Sequence, residues 1–458
     1  MVDADSGDTS PADLAAAVCE RTLALVGDGG DEAVVGAVVG TSSLTRFANS
    51  RIHQNVTEAL RVATLTLAVD GRAAKATTTR TDGDGLAALV ERARAAAVLR
   101  PPDPDYPGLA PPARVADPGH WDDATAGATP EQRAAVVAAF VEAGGGFEAA
   151  GYCSTTAVHT ALASTTGQRA AGRTSRAQLD GIHRAVVGGD HPADGYAQIS
   201  SAALGALDGA ACGARAAAKA GAALDPRSLP PGAYEVVLEP KAVAAALAYP
   251  AWLGLNGKQH AEGMSFVHLG EQQWDENVHL WDDALDPRAV GSAYDAEGTP
   301  KARLDLVSAG VSVGVAHDRR SARLAGVAST GHSVGDDSFG AFPADLFMGG
   351  GEASPEELVA AVGRGLLVTD LWYNRILDPK TQVVTGLTRN GLFLIEDGEV
   401  VGPVQNMRYT QSIVGGFGPD RVLGLGNDGQ LVGDEDGSLM FLPTVRLGAW
   451  AFTGNAQG

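Results

Sequence analysis

LRVATLTLAVDGRAAKATTTR, residues 60–80, alternates apolar and polar side chains on both sides of Asp70-Gly71. Alternation with period two places every second side chain on a buried face, and Asp-Gly suits a tight I′ turn whose two central residues need positive φ. The stretch therefore predicts an antiparallel hairpin. Upstream, AVVGAVVG and SSLTRFANSRI, within Glu32 to Arg51, continue the β pattern. Helices flank it. Ser10, Pro11 and Asp13 form a helix start running toward Gly27, and residues 84–99 return to helix. Thr129-Pro130-Glu131 opens a further helix that stops at Gly144-Gly145-Gly146. Two or three strands are expected from Phe147 to Arg173, and an Ala-rich helix from about Ala202 to Ala223.

Arg100 to Gly119 holds seven prolines and reads as an extended connection. DPRSLPPG, residues 225–232, is a proline-rich stop followed by the strand YEVVLEP, which marks a domain boundary. Beyond it the sequence predicts one helix, Lys241 to Leu255, and then mostly short strands. LFLIEDGEVVGPV is a hairpin around Asp397-Gly398. Ser354-Pro355-Glu356-Glu357 is a capping box, expected to open a helix with Leu358, Val359, Val362 and Leu366 on one face. The predicted fold class is α+β. Residues 1–226 form an N-terminal α/β domain with an antiparallel sheet and helices. Residues 233–458 form a β-rich C-terminal domain with a large curved sheet or barrel-like core.

The chain has 458 residues, 45% of them hydrophobic, and a net charge of −21 from 34 Lys+Arg and 55 Asp+Glu. That length favours two domains. The acidic balance argues against nucleic acid as a partner, because phosphate binding needs a basic patch. The densest basic cluster is Arg319, Arg320 and Arg323, with Asp318 beside it. Cys19, Cys153 and Cys212 lie far apart, as expected of buried thiols in a reducing compartment. The opening MVDADSGDTSPADL is acidic and polar, unlike a signal peptide or anchor, and no apolar run approaches the ~20 residues of a membrane span. These features place the protein in the cytoplasm, away from membranes.

A zinc protease helix needs two histidines one turn apart with a glutamate next to the first. No His here is followed by Glu. His260, His268 and His279 are spaced by eight and eleven residues, which does not put them on one helix face. Cys153 and His159, six apart on an expected strand, are too far apart to touch. There is no G-x-S-x-G elbow, and Gly349-Gly350-Gly351 and Gly415-Gly416 lack the Gly-Lys-Ser/Thr of a phosphate loop. The acidic pairs Asp282-Asp283 and Asp336-Asp337 and the run Asp434-Glu435-Asp436 read as solvated charge or turn formers. The residues by themselves thus name no catalytic constellation.

Several segments nevertheless resemble the TldD/TldE (PmbA) family. They are TRFANSRIHQN (Thr45 to Asn55), the hairpin after it, YEVVLEPKAVAAAL, DAEGTPKARLDLVSAGV (Asp295 to Val311), ASTGHS (Ala328 to Ser333) and the run from Thr369 to Tyr409. The likeness spans about residue 33 to residue 454. TldD-type chains of the family carry an H-E-x-x-x-H zinc helix and a cysteine ligand near the C-terminus. The corresponding helix here reads AVAAALAYPAWLGLNG, residues 242–257, without His or Glu, and Asp434 to Gly454 contains no cysteine.

That pattern is similar to TldE, the metal-free partner. The resemblance implies a non-catalytic subunit of a heterodimeric zinc metallopeptidase that degrades or trims unfolded peptides. On this reading zinc belongs to a TldD-like partner, no cofactor belongs to this chain, and this chain has no catalytic residues. It would supply a chamber wall and strand edges for backbone pairing, a sequence-tolerant way of holding peptide. Arg46, Asn49, His53 and Gln54 are candidate peptide or partner contacts, set against a role in capping a strand turn. Trp372, Tyr373 and Arg375 are candidates as interface residue types, set against burial in a core. Two alternatives stand beside this reading. One is a regulatory binding protein acting on gyrase or a toxin–antitoxin system. The other is a stand-alone peptidase, including a homodimer with metal on His260, His268 and His279.

Overall fold

The computed structural model describes residues 10–27, 29–186, 193–433 and 439–455. The run Asp434-Glu435-Asp436 lies outside them. Helix α1 (Pro11–Val26) starts where Ser10 Oγ accepts the Asp13 amide, with Pro11 at a position whose N–H has no helical acceptor. Strands β1 (Glu32–Ala48), β2 (Arg51–Val69) and β3 (Arg72–Thr78) follow. Asn49 and Ser50 join the first two at φ 50° and 57°, and Asp70 and Gly71 join the next two at φ 48° and 71°. Both are the positive-φ pairs of I′ turns.

Helices α2 (Gly83–Leu99), α3 (Asp123–Ala126) and α4 (Pro130–Glu142) come next, the last with a full capping box between Thr129 and Gln132. Strands β4 (Glu148–Ser164), β5 (Arg169–Arg184) and β6 (Asp194–Ser201) and helix α5 (Gly209–Ala222) complete this half. The strands expected over 147–173 are therefore longer and run on to Ser201. RAAGRTSRAQLDGIHR has little β-branched content, and its strand state comes from pairing with β4, from Ala163–Arg169 to Glu148–Arg184. The Ala-rich helix begins at Gly209, behind the Asp208 cap, rather than near Ala202.

Among the described residues these strands form one antiparallel sheet in the order β3-β2-β1-β4-β5-β6. Alternation sorts its two faces. Val35, Ala37, Leu65, Leu67 and Ala161 pack on Val18 of α1 and Leu86, Leu89 and Val90 of α2. Further along the same face, Phe47, Cys153 and Leu179 pack on Val137 and Phe140 of α4 and Cys212 and Ala216 of α5. Helices α1, α2, α4 and α5 thus lie on one side, and the opposite face is left for the C-terminal half.

That half begins with β7 (Gly232–Leu238) and α6 (Pro240–Tyr249). The helix expected to reach Leu255 loses its α pattern at Pro250, which has no N–H to donate back. Residues 250–254 relax into a π turn in which the Leu255 amide reaches Pro250 O at 2.7 Å. Then follow α7 (Gly257–Ala261), β8 (Leu280–Asp282), β9 (Leu304–Ser308), β10 (Val311–Ser312), α8 (Arg319–Ala325) and β11 (Leu346–Met348). The capping box at Ser354 is present, but α9 (Pro355–Ala360) ends after six residues, and Leu366 lies on β12 (Arg364–Val368). The helical spacing of Leu358, Val362 and Leu366 instead serves two elements: the first two pack on Val237 and Ile395, the third in the main core.

The remaining strands are β13 (Leu371–Asp378), β14 (Val383–Thr388), β15 (Leu392–Glu396), β16 (Glu399–Pro403) and β17 (Met407–Ser412). After α10 (Ile413–Gly416) come β18 (Val422–Leu425), β19 (Gln430–Gly433), β20 (Leu439–Leu442) and β21 (Val445–Asn455). Among the described residues they build a sheet ordered β13-β14-β17-β21-β7-β12-β15-β16, with β18 on β21, and a second ordered β10-β9-β8-β11-β20-β19. α6 is sunk into this core, with Ala242 to Leu247 all buried. The α+β class is that of the structure.

Two polar features correct the sequence reading. Asp282 is not solvated charge. Its side chain is fully buried, with Oδ1 2.8 Å from His332 Nε2 and Oδ2 accepting the Asp345 amide at 2.7 Å. Lys301 ion-pairs with Asp345 at 3.0 Å beside it. Arg319, Arg320 and Arg323, in turn, clamp the proline-rich connection. Arg319 Nε donates to Gly108 O at 3.1 Å, Arg320 pairs with Asp103 and Arg323 donates to Tyr106 O.

Removing Asp282 leaves the buried His332 ring and the Asp345 amide without their acceptor, so Asp282→Ala should destabilise the protein by about 1–3 kcal/mol for each group stranded, read in denaturant titration. Glu297 supplies a pH dependence. Burial, then repulsion from Asp295, pushes its carboxyl up to about 8. An acid raised by folding contributes stability below its ordinary value, and that contribution is lost as pH climbs through the raised one. Glu297→Gln should therefore gain thermal stability relative to the parent as pH rises from 5 to 9. Calorimetric scans across that range test it, and a constant difference would refute it.

Candidate functional site

Directly opposed residues of antiparallel strands share a face. Gln54, Arg46, Tyr152, Asp180 and Gln198 oppose one another in sequence across β2, β1, β4, β5 and β6. They form one row on the helix-free face. Farther along β1 and β4 the same face carries small groups, Gly40, Ser42, Ser154 and Thr156, each half-buried. Gly40 is required by close approach: a Cβ there would stand 2.1 Å from Ala157 O.

The C-terminal half closes this floor at both ends. At one end Tyr294 Oη donates to Thr160 Oγ1 at 2.8 Å, Lys75 Nζ to Gly335 O at 2.6 Å and Gln168 Nε2 to Gly298 O at 2.7 Å. A cavity of about 260 Å³ lies there, walled by Gly36, Val38, Thr64, Thr160, Tyr294 and Asp295 among others. At the other end Tyr152, Asp180, Tyr196 and Gln198 meet Lys241, Asp370 and Trp372 around a second cavity of about 260 Å³.

Asp180 is held by Tyr196, whose hydroxyl donates to Oδ2 at 2.6 Å. Burial raises the Asp180 carboxyl above its ordinary value, while that hydrogen bond and Lys241 pull it down. Burial, and then the Asp180 charge, pushes the Tyr152 phenol up to about 12. Lys241 Nζ donates to Gly433 O at 2.7 Å, and Gln178 Nε2 to Tyr152 Oη at 3.1 Å.

The structure spreads the sequence candidates over three places. Gln54 lies at the far end of the floor row, roughly 19 Å from Gln198 by four interstrand spacings of ~4.8 Å, with Arg46 one strand nearer. Asn49 belongs to the β1–β2 turn, and His53 is exposed on β2. Among the described residues Arg51 to Val62 have no strand partner on their outer side, since β3 joins only from Ala63 onward. Trp372 lines the second cavity, with Arg389 stacked 4.0 Å over its ring. Tyr373 sits at φ 54° in a bulge of β13, an edge strand, and Arg375 lies 4.4 Å over the Tyr373 ring while donating to Asn374 O. Trp372 alone of the seven thus reaches the Asp180 cavity. Sequence reasoning missed Tyr152, Asp180, Tyr196, Gln198 and Lys241, whose proximity rests on the pairing of Tyr152 with Asp180 and of Asp180 with Gln198 and on the fold of the second half over them.

The residues present do not fit a zinc site. The stretch matching the zinc helix buries Ala and Leu side chains, and β21 carries no cysteine. A cysteine binds zinc as its thiolate, yet burial pushes Cys19 and Cys153 up to about 12 and Cys212 to about 11. Among the described residues no three His, Cys, Asp or Glu side chains are grouped to hold a metal, His260, His268 and His279 included.

The helix-backed sheet, the strand-rich second half and the floor between them define a two-part α+β protein of the kind found in a group of metallopeptidases. Sequence profiles make this specific: the PmbA/TldA metallopeptidase C-terminal domain matches residues 231–454, and the PmbA/TldA metallopeptidase domain 1 matches residues 33–97. The chain belongs to the PmbA/TldD family. No curated protein matches it.

Among solved structures it is similar to TldE from Thermococcus kodakarensis, at TM-score 0.84 and 18% identity over 96% of this chain and 100% of that one. A Thermotoga maritima protein described as a modulator of a DNA gyrase superposes at 0.84 with 17% identity, over 96% and 100% of the two chains. A Bacteroides thetaiotaomicron protein of like description gives 0.81 and 19%, over 96% and 98%. At these identities the likeness establishes the fold.

Tyr196→Phe removes the hydroxyl that draws the Asp180 carboxyl down. Its pKa should then rise above the parent value, followed by carbon-detected carboxyl titration with Asp180→Asn to assign the signal. The lost hydrogen bond should cost about 1–3 kcal/mol of stability. An unmoved titration would show that Tyr196 does not govern Asp180.

Proposed function

We propose that this chain is the metal-free, TldE-type subunit of a cytoplasmic heterodimeric peptidase, in which a TldD-like partner supplies zinc and this chain supplies part of a peptide-holding chamber. One observation carries the reading. Where a catalytic member presents its zinc-binding His and Glu, α6 presents Ala242, Ala244, Ala245, Ala246 and Leu247, all buried. A helix packed in this way has no groups to activate water. The floor of Gly, Ser and Thr and the unpaired outer side of β2 support the peptide part of the reading. Extended chains bind such edges through backbone hydrogen bonds, which tolerate many sequences.

The chemistry of this chain in the complex is then binding and orientation. Trp372, Asp180, Lys241 and the floor residues would hold the substrate, and hydrolysis would fall to the partner. A gyrase-directed role, suggested by the descriptions of two structural relatives, would have to act through protein contacts. A net charge of −21 opposes direct DNA binding.

The test is metal content and cleavage of an unstructured casein fragment by the chain alone and after mixing with a TldD-type protein. The expected result is a zinc-free, inert chain, with cleavage appearing only in a mixture that co-elutes as a heterodimer. Stoichiometric metal and cleavage by the chain alone would overturn the assignment.

A further inference from the structure

Strand β13 forms one edge of the larger C-terminal sheet, with β14 on its inner side and no strand on its outer side among the described residues. Cross-strand register sorts the two faces near this edge. Val384, Met407 and Tyr409 point into the core. On the other face Trp372 opposes Leu387, which opposes Arg408, and Arg375 opposes Thr385, which opposes Thr410. The bulge between Trp372 and Arg375 brings Tyr373, at φ 54°, beside Trp372, with ring centroids 5.4 Å apart. Two guanidinium groups lie on these rings, Arg375 at 4.4 Å over Tyr373 and Arg389 at 4.0 Å over Trp372. Arg408 stands two strands from Trp372, about 10 Å away by interstrand spacings of ~4.8 Å.

Three exposed or half-buried arginines thus share one face, and none of them ion-pairs with a carboxylate among the described residues. Arg375 spends one N–H on Asn374 O at 2.7 Å. The carboxylates closest to it along the chain are engaged elsewhere. Asp370 Oδ2 accepts Asn390 Nδ2 at 3.3 Å, and Asp378 accepts the Lys380 amide at 3.0 Å and the Thr381 hydroxyl at 2.7 Å. On a chain of net charge −21 this face is a local reversal of sign. A guanidinium stacked on a ring keeps a planar fork of N–H donors that matches a carboxylate, and the ring beside it offers an apolar seat. We propose that this face docks an acidic, extended stretch of peptide, with Arg375, Arg389 and Arg408 taking its carboxylates and Trp372 and Tyr373 seating its apolar parts. Alternate side chains of an extended chain stand about 7 Å apart on one side, so acids at every second position span the three arginines. The proposal rests on the peptide-chamber reading and names a substrate class for it. Trp372 also lines the cavity at the end of the floor, so the arginine face continues the chamber outward from there.

The experiment uses the full chain and calorimetric titration at low ionic strength. Three flexible Gly/Ser dodecapeptides with acetylated and amidated ends are compared, carrying three glutamates, three glutamines or three lysines at alternate positions. The glutamate probe should bind at least about tenfold more tightly than the glutamine probe, the size of one charge-assisted hydrogen bond, and salt should shrink the advantage. The net charge of −21 by itself favours the reverse order, lysine over glutamate. The double variant Arg375→Gln/Arg389→Gln should abolish the advantage. Arg408→Gln should reduce it, and serves as the test if circular dichroism shows the double variant misfolded. Arg114→Gln, at an exposed position of the proline-rich connection, removes the same charge elsewhere and should leave the advantage intact. An absent advantage, one that survives the arginine variants of the face, or one that falls equally with Arg114→Gln would overturn the acidic docking face. Binding of the glutamine probe in any of these cases would leave the chamber reading standing. If the glutamate probe alone binds, and the face variants abolish its binding, the face stands and the sequence-tolerant chamber reading falls. Tighter binding of a single-stranded oligothymidylate, or self-association of the chain that the face variants abolish, would give the face to nucleic acid or to a second copy and overturn the proposal.

Discussion

The pairing of β1 with β2 on one side and β4 on the other is the constraint on which the rest depends. β1 is held by neighbours along nearly all its length, so its alternation cannot slip by one residue without exchanging the two faces of the sheet. One set of its side chains, among them Val35, Ala37, Val39 and Phe47, is driven against the helices. The other set puts Val34 in a small cluster with Leu162, Ala170 and Tyr294 and otherwise includes the small Gly36, Gly40 and Ser42. That asymmetry creates a sheet with one helix-backed face and one face low enough for the second half of the chain to arch over. The hydrophobic effect acts on one face, and the absence of bulk acts on the other.

The arch stands on polar contacts together with two small apolar clusters, Tyr294 on Val34, Leu162 and Ala170 and Phe393 on Ala193 and Ala223. Tyr294 on Thr160, Gln168 on Gly298 and Lys75 on Gly335 tie one end. The three arginines of α8 hold the proline-rich connection by its carbonyls and by Asp103. These ties are directional, so they fix distance and orientation where an apolar contact would permit sliding. Behind them the buried Asp282–His332 and Lys301–Asp345 pairs hold loop segments that have few strand hydrogen bonds of their own. In a region of two- and three-residue strands, charge pairing inside the protein does part of what a longer ladder would do. Its cost in desolvation is offset by backbone amides such as that of Asp345.

Much of this architecture is legible along the chain because it rests on local chemistry. The Asp70-Gly71 and Asp397-Gly398 turns, the Ser10, Thr129 and Ser354 caps and the alternation of residues 60–80 all depend on neighbours a few positions away. Legibility fails where a distant partner decides. β5 is poor in β formers and is a strand because β4 lies beside it. Leu366 keeps helical spacing with Leu358 yet belongs to a strand, because β7 and β15 offer it hydrogen bonds. Asp282 looks like one more acid in an acidic chain until His332, fifty residues on, is folded against it.

The candidate site divides in the same way. Its empty half, the α6 stretch without His or Glu, is a property of the sequence, and so are the family resemblance and the negative charge. The occupied half is a property of the fold. Tyr152, Asp180 and Gln198 stand in one row only because three strands are paired in one register, and Trp372 and Lys241 reach that row only because the second half folds over it. The sequence alone determined that the α6 stretch carries no His or Glu, since the identity of a residue needs no geometry. The tertiary structure alone decided which groups it brings together, since a cross-strand contact depends on spatial register and not on separation along the chain.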